Sequence, residues 1–147
     1  MLERFASRFY AHRNNVNQNW AAGPMAPIQW TTALFDALNE LHLGVGEYYF
    51  QPREAGYYYI KASARRANFV LANTIDQLEI RVTPNVFFLV NYKWIAVNFN
   101  DEQQASGVLY LTPNDRVHVW WHTTAGAPND ILDGNIYATY FCGHKLS

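Results

Sequence analysis

The chain has 147 residues, the size of one domain; half of them are apolar and only 16% are charged, a composition opposed to intrinsic disorder. Eleven Lys and Arg against twelve Asp and Glu give a net charge of -1, so no global field draws the chain to nucleic acid or to an anionic membrane. The single cysteine, Cys142, excludes an internal disulfide and a multi-Cys zinc site, and no apolar run reaches the roughly 18 residues of a membrane-spanning helix.

In chain order, short alternating stretches recur between Gly, Pro, Asn and Asp punctuation, the pattern of an all-β sandwich or barrel. The opening "MLERFASRFYAHR" alternates Arg with aromatics and lacks the apolar run of a signal peptide, which predicts synthesis in a cytoplasm, with lysis or a fusion partner as the route outward. A first strand is expected in "RFYAHR", residues 8–13, and a long connection in "NNVNQNWAAGPMAP", residues 14–27. "APIQWTTALF" reads as a strand, but in "TTALFDALNELHLG" Leu34, Leu38 and Leu41 fall three or four apart before Gly44, so helix and extended loop both stay open there.

"EYYFQ" and "GYYYIKASA" flank a turn-like "PREAG", and their consecutive rings place aromatics on both faces of each strand. In the second, Tyr58, Ile60, Ala62 and Ala64 share one side, and Tyr57, Tyr59, Lys61 and Ser63 the other. "QLEIRV", "VFFLVNYKWIAVNF" and "GVLYLT" follow as further strands, with "NFNDEQQ", residues 98–104, as a solvated hairpin tip. "DRVHVWWHT" sets Val117, Val119 and Trp121 against His118, Trp120 and His122, and "NIYATYFCG" alternates Tyr137, Thr139 and Phe141 with Ala138, Tyr140 and Cys142. A core of Phe50, Tyr58, Ile60, Val117, Val119 and Phe141 is therefore expected, with a second aromatic face on three strands.

Chemistry-bearing patterns are sparse. His118 and His122 span about 13 Å on an extended strand, whereas two nitrogens on one zinc lie within roughly 4 Å of each other, so they cannot share an ion within one subunit. "NDILDGN" offers Asp130 and Asp133 as calcium candidates, without the twelve-residue loop and terminal Glu, and Asp-Gly is itself a turn element. Ser63, Ser106 and Cys142 lack a nucleophile elbow, and nothing selects two of Asp36, Glu40, Glu47, Glu54 and Glu79 as a catalytic pair. No catalytic residue and no cofactor are expected. The only basic cluster, "SARRANF" at 63–69, is too small for a nucleic-acid groove and reads as a solvated loop or an acidic-partner patch.

The order of motifs resembles the globular heads of complement C1q and tumour necrosis factor, above all stand-alone bacterial and viral versions. "FYAHR" (Phe9 to Arg13) is similar to the opening Phe-Ser-Ala-x-Arg strand, and "WTTALFD" (Trp30 to Asp36) to a later Trp-Thr-x-x-x-Phe-Asp stretch. "FQPREAGYYYI" carries the aromatic, Pro and Gly-x-Tyr-x-Ile element through Phe50, Pro52, Gly56, Tyr58 and Ile60. "GVLYLTPNDRVHV" matches Gly-x-Leu-x-Leu-x-x-Gly-Asp-x-Val, with Asn114 in place of Gly, and "FCGHKL" matches the closing strand, with Cys142 in place of a small polar residue.

The resemblance implies an all-β, two-sheet antiparallel jelly-roll sandwich that assembles as a homotrimer. The length makes one domain over residues 1–147 the expectation, with 1–8 as a candidate docking arm. The resemblance further implies that the strands around "GYYYIKASA", "DRVHVWWHT" and "NIYATYFCG" lie in one sheet facing the symmetry mates. Tyr57, Tyr59, His118, Trp120 and Tyr140 are then interface residues, and three copies of one His could meet on the axis. The expected role is that of a non-enzymatic virion surface component, a capsid decoration protein or fibre head, whose partners are itself and a capsid or other virion protein. Extracellular recognition of a glycan or protein, and a small jelly-roll enzyme, stand as alternatives.

Overall fold

The computed structural model describes residues 6–20, 25–67, 74–84, 87–95, 101–123 and 130–146. Its strands are β1 (Arg8–His12), β2 (Gln18–Trp20), β3 (Ala26–Pro27), β4 (Thr32–Asp36), β5 (Leu41–His42), β6 (Tyr49–Phe50) and β7 (Gly56–Arg65) in the first half. β8 (Thr74–Thr83), β9 (Phe87–Ile95), β10 (Glu102–Leu111), β11 (Arg116–Thr123), β12 (Asp130–Leu132) and β13 (Tyr140–Lys145) follow. Five form one antiparallel sheet in the order β10-β7-β13-β1-β4. The second sheet runs β5-β6-β11-β8-β9 with β3 also paired to β11, and β12 and β2 make a separate ribbon. This is the two-sheet, all-β jelly roll that the sequence predicts, with partners far apart in the chain on both sheets.

The strands form where the period of two lets one face leave water. Along β7, Tyr58, Ile60, Ala62 and Ala64 are fully buried; along β11, Val117, Val119 and Trp121 are. Phe50 and Phe141, the other expected core rings, are buried with them. The two sheets meet through stacked and edge-on rings: Phe9 lies 4.2 Å from Phe50 and 4.8 Å from Phe141, centroid to centroid. Trp30 stacks on Phe141 from outside that trio at 5.9 Å. Packing is tight enough at β13 that a Cβ on Gly143 would come within 2.8 Å of the Tyr59 carbonyl oxygen and the Ile60 side chain.

One open local reading is decided and two are corrected. Of the two alternatives for residues 31–44, the extended one holds: β4 runs to Asp36, whose carboxylate oxygens accept the amides of Glu40 and Leu41 at 2.9 Å each and close a turn before a helix can start. The last strand begins only at Tyr140. Asn135 captures the three preceding amides, of Tyr137 through its side chain and of Ala138 and Thr139 through its carbonyl, so Tyr137 stands out in solvent instead of joining the core face. The basic cluster is not simply a solvated loop, because Arg66 is buried against the carboxylate of Asp76 through two 2.7 Å hydrogen bonds, although Arg65 beside it stays partly open. The connection over 14–27 carries β2 and β3, and its first half is pinned by Arg13, which donates to Gln18 and to the carbonyls of Val16, Asn17 and Gln29. Residues 21–24 and 98–100, parts of two stretches discussed above, lie outside the described residues.

Candidate functional site

The outer face of the five-stranded sheet is built by register. Val108 sits opposite Tyr59 and Tyr110 opposite Tyr57, and on the other flank His144 faces Tyr59. Tyr57 and Tyr110 meet edge to face at 5.2 Å, and Tyr59 lies 5.7 Å from the His144 ring. Further across, Tyr10 stacks on Tyr140 at 5.3 Å, Lys61 holds its ammonium 5.6 Å from the Tyr140 ring centre, and Arg8 covers Phe35. Tyr57, Val108 and Tyr110 remain 51%, 56% and 56% exposed, so the aromatic side of this sheet is half open to water in the single subunit.

Between β1, β4 and β13 the same face sinks into an apolar hollow of about 340 Å³, floored by Phe9 and Gly143 and walled by Tyr10, Phe35, Tyr59 and Cys142. Two of the groups around it, Tyr10 and Cys142, are held in their uncharged forms, while Arg8 and His144 complete the lining. Burial pushes the Tyr10 phenol up to about 12, helped by Cys142 and Tyr140, and its hydroxyl donates to the Ile136 carbonyl at 2.7 Å. Burial also raises the Cys142 thiol, which makes it a packing group and a poor nucleophile. Tyr10, Phe35, Val108 and Tyr110 were not singled out from the sequence. The alternation of "GVLYLT" separates Val108 and Tyr110 from Leu109 and Leu111, but nothing in that stretch says which pair turns outward.

His118 and Trp120 are elsewhere. β11 is hydrogen-bonded between β6 and β8 in the second sheet, so the expectation that three strands share one sheet is corrected, and one flat contact cannot take in both these residues and Tyr57, Tyr59 and Tyr140. On the outer side of that second sheet a row of rings and cations crosses four strands. His42 stacks on Tyr49 at 4.5 Å, Tyr49 meets His118 at 5.3 Å, and Arg81 stands 4.5 Å over Trp120. Arg116 covers Tyr49 from one end at 4.9 Å. Burial and the charge of Arg116 push the His118 pKa down from its ordinary value.

The remaining candidates are engaged in structure. Asp133 binds Arg65 with one oxygen and the Asn135 amide with the other, and the Asp130 side chain lies outside the described residues. Among the described residues no group of three or more His, Cys, Asp and Glu is placed to hold a metal ion. Glu40 is buried, accepting from Ser7 and from the Arg53 amide, while Glu54 pairs with Lys145 and Glu79 with Arg81.

No family model matches the sequence, and no curated protein matches it. Solved structures do match the fold. The globular domain of the zebrafish complement 1qA protein superposes with a TM-score of 0.62 at 20% identity, covering 96% of this chain and 98% of that one. Murine APRIL gives 0.64 at 14% identity over 95% and 98%. The Eiger TNF of S. frugiperda gives 0.60 at 14% over 97% and 93%. The chain thus has the jelly-roll fold shared by the C1q globular head and the tumour necrosis factor ligands.

Proposed function

We propose that this protein is a non-enzymatic structural module of one domain that assembles as a homotrimer through the outer face of its five-stranded sheet. The observation that supports this is the half-exposed apolar row of Tyr57, Val108 and Tyr110, continuous with Tyr59 and Tyr140, on a sheet face that is left half open to water among the described residues. An apolar face next to an apolar hollow suits a ring of copies, in which the projecting side of one subunit fills the recess of the next and the third closes the circle. Each ring taken out of water there contributes about 1.5–3 kcal/mol.

Within that assembly the role is to present or clamp surfaces on a virion, decorating a capsid at local three-fold positions or forming the head of a fibre, with a capsid or other virion protein as partner. The docking arm is shortened to the residues before Ser7, since Ser7 is tied to Glu40 and its carbonyl accepts from Lys145; residues 1–5 lie outside the described residues. The test is mass in solution. A species of three times 17.0 kDa is expected, and a stable monomer at micromolar concentration overturns the assembly. For the virion role, deletion of the gene should leave particles that lose stability, and particles of unchanged composition and stability count against it.

A further inference from the structure

At one end of the sandwich the end of β8 and the segments just after β6 and β10 meet around a hollow of about 360 Å³, within the roughly 300–1,000 Å³ of small-molecule sites. Its walls are Gln51, Thr83, Pro84, Asn114 and Arg116. Arg116 opens β11 in register with Thr83, is exposed, and makes no ion pair among the described residues. Its chain neighbour Asp115 makes no ion pair with it: Asp115 is turned inward, 2% exposed, accepting the amide and hydroxyl of Thr112 at 2.7 and 2.8 Å. The guanidinium is held in place over the Tyr49 ring, and the Gln51 amide donates to the Pro113 carbonyl at 2.7 Å, which ties the two segments together. The hollow is therefore formed before any ligand arrives, and Gln51 keeps its carbonyl oxygen as an acceptor.

We propose that this hollow binds an acidic sugar, with Arg116 on the carboxylate and Gln51, Asn114 and Thr83 on ring hydroxyls. A guanidinium matches a carboxylate with two parallel hydrogen bonds. Amide and hydroxyl side chains supply both donors and acceptors, as a polyhydroxylated ring requires. Peptides are read by pairing along a sheet edge or through apolar slots, and these walls provide neither. The site is lined by residues of one subunit and shares none with the proposed assembly face, so it goes beyond the trimer and stands or falls separately from it.

The experiment is a titration of the intact protein, followed by amide NMR shifts, with N-acetylneuraminic acid and glucuronic acid. N-acetylglucosamine serves as neutral control, sodium sulfate as bare anion and N-acetylglycine as peptide-type carboxylate. Saturable shifts confined to the hollow are expected for the acidic sugars. Arg116→Gln should weaken them roughly tenfold, Gln51→Ala severalfold, and Arg116→Lys should keep part of the affinity, all at unchanged mass and melting temperature. Equal binding of the neutral sugar, indifference to Arg116→Gln, or sulfate or N-acetylglycine binding as tightly as the acidic sugars would overturn the assignment.

Discussion

His118 shows what one side chain's surroundings do to its charge. It faces the Tyr49 ring, lies across from Arg81 in register and shares its side of β11 with Arg116. Burial first, and the Arg116 charge second, lower its pKa below 6.5, so the folded protein prefers the neutral imidazole. As pH falls through the ordinary value the unfolded chain takes up this proton before the native one does. The stabilising contribution is full above about 6.5 and is lost as pH falls through that value toward the lower folded pKa. His12, lowered by burial, acts in the same direction, so the contribution of His118 is read by difference. The loss of melting temperature between about pH 7.5 and about pH 5.5 should be smaller in His118→Gln than in the parent. An equal loss in both proteins would show that its environment does not discriminate between the two charge states.

Between elements, a buried tie outside the apolar core is the pair formed by Arg66, just past β7, and Asp76 in β8, with Thr123 of β11 accepting from the same guanidinium. Side chains 2% and 0% exposed have no water to fall back on. Asp76→Asn takes the paired carboxylate away from the buried Arg66 guanidinium, and urea unfolding should show a loss of about 3–5 kcal/mol. A loss of the size usual for surface pairs, under about 1 kcal/mol, would mean that water reaches the site in solution. This pair also marks where sequence reading stops. The faces of β7 and β11 were legible because their period of two runs unbroken over residues 56–62 of the first and the whole length of the second. Which sheet β11 joins was not, since both layers of a sandwich write the same alternation and the partners of β11, at β6 and β8, are set by topology. Nor does "SARRANF" distinguish Arg66 from Arg65: one residue of register separates a buried cation from a partly solvated one. The turns made by Asp36 and Asn135 were hidden for a related reason, because a side chain that captures a nearby amide leaves no periodic trace.

At the scale of the whole molecule the two sheets each present rings and cations outward, and the half-exposed row of Tyr57, Val108 and Tyr110 lies on the five-stranded one. The proposed assembly uses that face, and β7 carries both sides of the question in adjacent residues. Tyr58 points inward, fully buried, meets the Phe50 ring at a tilt with centroids 5.7 Å apart and donates its hydroxyl to the Glu54 carbonyl. Tyr59 points outward, between Val108 of β10 and His144 of β13, beside the apolar hollow. Tyr58→Ala empties a ring-sized space in the core and should cost about 3–5 kcal/mol, seen as loss of cooperative unfolding or a sharply lowered midpoint. Tyr59→Ser removes no core contact, so its subunit should keep its fold by circular dichroism while the assembled mass falls toward 17.0 kDa on dilution. A Tyr59→Ser protein that unfolds, beside a Tyr58→Ala protein that stays folded but dissociates, would reverse the two faces and with them the proposed assembly.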